Sequence, residues 1–226
     1  MGQPDWARLR RSPFGTTGQT RIELLDARVS EGWKPSSSGM KGGDRILGHA
    51  ACLVTETTLL FHISEESDIG RFEPRASEYT SEFVVWAIDS DHLHNYLVPR
   101  DCPRVTYYAG PKTNSADVER FLGSSRAVVA VEAGWLERFR SCRLYCHHMR
   151  PEPFECLDQC AGYFVSREPV VPASVEVFDD PMAELVKRGV ELRLMSSLWH
   201  LRDAVVASSL QFSCIRMRNA MPRTQP

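Results

Sequence analysis

Short apolar runs rich in β-branched and aromatic residues recur from Thr57 onward, with only brief helix-forming stretches between them. That spacing constrains the fold more than any other feature. A doubly wound parallel sheet needs a crossover of a dozen or more residues, usually a helix, between successive strands. These runs lie too close together for such crossovers. The pattern predicts an α+β domain built on a mixed, largely antiparallel sheet with short peripheral helices.

Thr57 to Ser64 reads as a strand. Its alternation puts Leu59, Phe61 and Ile63 on one face and Leu60, His62 and Ser64 on the other. Phe83 to Ile88 is apolar on both faces, as expected of a central strand. Arg104 to Tyr108, Ala127 to Glu132 and Leu144 to Met149 follow as strands, then Tyr163 to Ser166 and the proline-limited run Val170 to Val177. Asn114 is placed to cap a helix reaching Leu122, with Gly123 past its end. Gly134 to Arg140 reads as a short helical turn. Asp180 caps a helix that begins at Pro181 and stops at Gly189. Apolar spacing at 198, 201, 205 and 206 predicts a last helix over about 197–208.

Residues 1–45 read as a flexible N-terminal tail, because Pro35 to Gly43 is dominated by Pro, Ser and Gly. Residues 46–220 form the single expected α+β domain, and 221–226 a disordered C-terminus. The chain of 226 residues is 42% hydrophobic, enough for one real core. Its formal charge of −2 argues against a protein that coats nucleic acid or a membrane surface. No apolar run approaches the 18 residues a membrane span needs, and no secretory signal opens the chain. Seven cysteines without a signal peptide imply free thiols, hence a cytoplasmic protein. Arg8, Arg10, Arg11 and Arg21 leave a mitochondrial address open, and nothing in the sequence separates cytosol from nucleus.

Candidate chemistry falls in a few segments. His62 and Ser64 share a strand face that runs into a loop rich in Arg and Glu, ending at Arg75. A histidine at a strand end offers a donor and an acceptor to a hydroxyl or phosphate; its bland alternative is a bond to a neighbouring loop. Trp86 precedes Asp89, His92 and His94. Arg100 and Arg104 flank the kinked Asp101-Cys102-Pro103, a spacing suited either to gripping a phosphate or to locking a turn. Cys142, Cys146, His147, His148, Cys156 and Cys160 cluster within a short stretch. Their three-residue gaps fit zinc knuckles poorly, so no metal is expected and buried thiols are the simpler reading. Nucleophile-elbow, P-loop and dinucleotide fingerprints are absent from the sequence.

Leu60 to Glu65, Arg71 to Arg75, Val85 to Asp89, Pro99 to Arg104 and Ser197 to Ser208 together resemble an uncharacterised domain family of bacteria and some fungi, over about residues 57–220. More distantly, the chain is similar to the ADP-ribosyltransferase fold, including its RNA 2′-phosphotransferase relatives. There a first strand ends in apolar-His-x-Ser/Thr, matched by Phe61-His62-Ile63-Ser64. A second strand carries an aromatic before a small residue, matched by Trp86-Ala87. A later strand often reads Glu-Tyr-apolar-Val, and here Gly162-Tyr163-Phe164-Val165 stands in that register with Gly in place of Glu.

This second resemblance implies an ADP-ribosyltransferase-like pocket for NAD or another nucleotide, with an unknown protein or nucleic-acid acceptor. His62 and Ser64 would hold a ribose, Trp86 and Tyr163 would lie against a ring, and Arg75, Arg100 and Arg104 would meet phosphates. Catalysis would rest on His62 and on Glu168, or Glu132, standing in for the missing Glu, which makes the site degenerate. The rival readings are a non-enzymatic interaction module and, behind it, a small zinc protein built on the 142–160 cluster.

Overall fold

A computed structural model describes residues 58–76, 80, 82–159 and 161–223. The expected tail with its Ile22-Leu24-Leu25 patch, the expected domain start at 46, Thr57, Cys160 and the last three residues lie outside the described residues. The described chain is a mixed α+β structure in which antiparallel pairs dominate and helices are few and short.

Two sheets form in place of the one expected. The larger contains β1 (Leu60–Ser64), β2 (Arg75–Ala76), β3 (Phe83–Asp89), β6 (Leu144–Met149), β7 (Glu155–Asp158), β8 (Tyr163–Ser166) and β9 (Ser174–Phe178). Its order is β7-β8-β3-β1-β6-β9, with β2 paired to β3. The smaller contains β4 (Arg104–Tyr108), β5 (Ala127–Glu132), β10 (Val190–Met195) and β11 (Gln211–Ile215), in the order β10-β5-β4-β11. Among the described residues only β5 and β10 run parallel, and the chain between them supplies room for a crossover carrying α3 (Pro181–Lys187).

Three apolar clusters explain the layering. Phe61, Val84, Trp86, Ile88 and Leu144 from the larger sheet meet Ala127, Val129, Val131 and Val190 from the smaller, so the main core lies between the sheets. Val105, Tyr107, Val128 and Ala130 on the far face of the smaller sheet pack under α4 (Trp199–Val206) through Val205, and against Phe121 and Leu122. On the far face of the larger sheet, Leu60, Val85, Ala87 and Phe164 are covered by Phe72, Phe154 and Val170. Both faces of β1, β3 and β5 are therefore buried, which is why these runs read as nearly continuous apolar stretches. Burying one such Val, Leu or Phe side chain is worth about 1.5–3 kcal/mol.

The sequence signals at helix ends hold. Asp180 Oδ1 accepts from the Ala183 N–H at 3.0 Å at the start of α3. Asn114 Oδ1 does the same for Asp117 N–H at 2.8 Å, opening α1 (Ser115–Asp117), which continues as a π-turn over Val118–Leu122. Gly123 and Gly189 follow these helices with positive φ. Leu136–Arg140 forms α2 after a 3-10 turn at Ala133–Trp135. The run from Val170 is shorter than expected: Val170 makes one isolated bridge to Phe72, and only Ser174–Phe178 is strand.

Candidate functional site

The larger sheet opens in its middle. Strands β1 and β3 pair only at Leu60↔Asp89 and Phe61↔Ile88. Beyond that point β1 stays on β6 as far as Ser64↔Tyr145, while β3 stays on β8 from Ile88 to Val85. Each strand is held by its outer neighbour, so the two diverge without either losing its place in the sheet. His62 spans the start of the gap: its Nδ1–H donates to the Trp86 carbonyl oxygen at 2.9 Å, and a carbonyl can only accept. The ring is 7% exposed, and burial lowers its pKa to about 4. It is therefore neutral at pH 7, with a lone pair on Nε2 available to a ligand hydroxyl.

A cavity opens at the gap between β1 and β3. Its walls include His62, Ser64 and Glu65 from β1 and its loop, Trp86 from β3, Tyr163 from β8, and Arg100 and Arg104 from the segment leading into β4. Trp86 and Tyr163 meet edge to face, ring centroids 6.0 Å apart. The Tyr163 hydroxyl accepts from Tyr96 at 3.4 Å. Ser64 Oγ accepts from the Glu66 N–H at 3.0 Å and keeps its own proton to give. Arg104 is 3% exposed; its Nε–H donates to Asn95 O at 2.8 Å and Nη1–H to Cys102 O at 3.0 Å.

Six residues nominated from sequence thus line one cavity: His62, Ser64, Trp86, Arg100, Arg104 and Tyr163. Two nominated residues do not. Arg75 sits on β2 paired with Val84, outside the cavity wall, although its charge still reaches His62. Glu168 is exposed; the Ser166 hydroxyl donates to its carbonyl and accepts from its N–H, a tight turn that carries the side chain out to solvent. Glu132, the other proposed stand-in, is buried elsewhere, where its carboxylate accepts from the Met221 N–H at 2.9 Å and the Leu198 N–H at 3.4 Å. It caps the entrance to α4. The catalytic carboxylate expected from either residue is not at the cavity.

Tyr96 and Arg216 line the cavity and were not singled out from sequence. Tyr96 lies in a 3-10 turn, Leu93–Tyr96, and Arg216 follows β11 in a run without a motif. Arg216 has φ 57° and ψ 28°, a left-handed conformation rare for a bulky residue, and nothing in the neighbouring sequence signals it. Glu65 is the carboxylate in the wall. It is ion-paired with Arg138 and accepts from the Arg100 N–H at 3.0 Å.

The Cys/His cluster is dispersed by strand alternation. Cys142 and Cys146 enter the main core, His147 points to the opposite face against Phe72, and His148 lies 3.5 Å from Glu176. Among the described residues no three or more His, Cys, Asp and Glu side chains are placed to hold a metal ion. Cys102, Cys142, Cys146 and Cys214 are free and buried, whereas Cys156 is disulfide-bonded, a departure from the all-thiol expectation. No helix among the described residues is long and apolar enough to cross a membrane.

The fold and cavity define a class: a two-sheet α+β domain whose larger sheet parts to admit a cavity lined by aromatic and guanidinium groups. A family of unknown function (DUF6886) matches residues 61–220, and the chain belongs to that family. No curated protein and no solved structure matches it.

Proposed function

We propose that the cavity between β1 and β3 binds a nucleotide, with NAD as the leading ligand. The carrying observation is the parted sheet, which brings a neutral His62, the Ser64 hydroxyl and the Trp86–Tyr163 pair to one wall. His62 Nε2 would accept from a ribose hydroxyl while Ser64 donates to it, and the edge-to-face aromatics would offer an apolar surface to a flat ring. Burial keeps the imidazole uncharged, as a hydroxyl acceptor must be. This arrangement, with the Phe61-His62-Ile63-Ser64 pattern, supports an ADP-ribosyltransferase-like reading of the fold.

Transfer chemistry is the weaker half of the reading. An oxocarbenium-like transition state needs a carboxylate or comparable dipole near the reacting carbon. Glu65 is committed to Arg138, and Glu168 and Glu132 face elsewhere. These placements favour binding over turnover, and so a non-enzymatic module that senses or carries a nucleotide and presents it to a partner.

The test is thermal unfolding with NAD, ADP-ribose and nucleoside monophosphates at millimolar concentration, repeated on His62→Ala. A ligand at a hundred times its Kd raises stability by about 2.7 kcal/mol through mass action on the folded state. The expected result is a saturable rise in Tm with NAD or ADP-ribose that His62→Ala abolishes. If no nucleotide shifts the Tm of the folded protein, the reading fails.

A further inference from the structure

Among the described residues Arg104 is a buried cation with no carboxylate partner. Its partners are the Asn95 and Cys102 carbonyls and the face of Tyr96, whose ring centroid lies 5.5 Å from Cζ. A guanidinium carries five N–H donors. Two are used by those carbonyls, and the side chain lines the cavity. Long charged side chains are almost never fully buried unless paired, because a charge taken out of water loses its hydration.

The setting sharpens the anomaly. Arg216 is 4% exposed, lines the same cavity and lies close enough to Arg104 to disfavour its protonated form. Among the described residues Arg216 is also the one non-glycine residue with positive φ. Holding a side chain in that conformation strains the backbone, and such strain gathers at ligand sites. The Glu65 carboxylate in the same wall is taken by Arg138 and by the Arg100 N–H, so it does not neutralise Arg104.

We infer that Arg104, with Arg216 beside it, is a preformed oxyanion anchor that selects phosphorylated ligands over their unphosphorylated counterparts. Two guanidiniums at one wall fit a phosphate group, which offers several acceptor oxygens and up to two negative charges, better than a carboxylate. The anchor goes beyond the nucleotide reading, since any ligand that presents a phosphate would satisfy it. It also separates the roles of the arginines nominated from sequence: Arg104 is the buried contact, Arg75 is outside the wall, and Arg100 stands near Glu66, with Nη1 3.8 Å from Oε1.

The test is calorimetric titration of the folded protein with inorganic phosphate at ionic strength fixed with chloride. Acetate, Arg104→Lys and Arg104→Met serve as comparisons. The expected result is saturable phosphate binding, at least tenfold weaker in Arg104→Lys and absent in Arg104→Met. Acetate should bind at least tenfold more weakly than phosphate. Absence of phosphate binding to the wild-type protein overturns the inference without any variant. Binding that survives Arg104→Met, or equal affinity for acetate, overturns it too. Phosphate binding with no nucleotide binding leaves the anchor standing and removes the nucleotide reading; nucleoside binding without phosphate binding does the reverse.

Discussion

Gly162 holds the position at which the resemblance drawn from sequence would put a Glu, and the structure gives that glycine a reason of its own. Its φ is +69°, and a Cβ there would lie 2.3 Å from His92 Nδ1 and 2.7 Å from Asp89 Oδ1. Asp89 Oδ1 accepts from both the His92 backbone N–H, at 2.9 Å, and the His92 ring Nδ1–H, at 2.7 Å, so an Asp–His pair fills the space a side chain at 162 would need. The Asp89 N–H also donates to the Gly162 carbonyl at 3.0 Å. Gly162→Ala should therefore destabilise the protein by roughly 2 kcal/mol or more, from backbone strain and displacement of the pair together. Urea unfolding of the variant measures this, and a loss under about 0.5 kcal/mol would show that the pair moves freely. By the same argument Gly162→Glu should not supply a catalytic carboxylate, because no room exists for it.

At the scale of elements, caps and core strands were legible and several edge strands were not. Asp180 before Pro181 predicts a helix start, and the bond from Ala183 N–H realises it. Asp180→Ala should cost about 1 kcal/mol in chemical denaturation, whereas Asp180→Asn or Asp180→Ser should cost much less. Strands β7, β10 and β11 escaped sequence reading because polar residues interrupt them. In β10, Glu191 and Arg193 pair at 2.7 Å, and Arg193 Nη1–H donates to the Tyr107 hydroxyl at 2.7 Å. Those polar groups are satisfied only once β10 lies beside β5 in the assembled sheet. Short strands at sheet edges owe their form to the neighbour that pairs with them more than to local preference. In β11, the register from Gln211↔Tyr108 to Ile215↔Arg104 does that work, and it delivers Arg216 to the cavity.

For the whole molecule, buried imidazoles set a pH response. Burial lowers the pKa of His62 and of His94 to about 4, and lowers that of His147 as well. Among the described residues His94 Nε2 has no hydrogen-bond partner, and at His147 the Glu66 backbone works against the effect of burial. Folded values below 6.5 mean that the unfolded chain takes up protons first as pH falls. The stability these groups support is present above about pH 6.5 and is lost on the way down to pH 4. Going from pH 7.5 to 5 should therefore cost up to roughly 2 kcal/mol for each of His62 and His94. Unfolding by urea across that range tests the sign, and His94→Gln should flatten the profile. A stability that rises on acidification over this window would contradict the burial seen here.

The sequence by itself determined the elements whose signals are local. Alternation marked β1, two-sided apolarity marked β3, side-chain caps and glycines bounded the helices, and the closeness of the runs excluded a doubly wound sheet. It also nominated His62, Ser64, Trp86, Arg100, Arg104 and Tyr163, since a polar group on a buried strand or an arginine in a proline-kinked loop is visible in one dimension. Tertiary structure alone decided that the strands divide into two sheets, that β1 and β3 part after one pair beyond the strand start, and that Arg75, Glu168 and Glu132 face away from the cavity. It alone placed Arg216 there. The physical reason is that pairing partners, strand divergence and the direction of a turn depend on contacts between residues far apart in the chain, and those contacts leave no periodic trace in the sequence around any one of them.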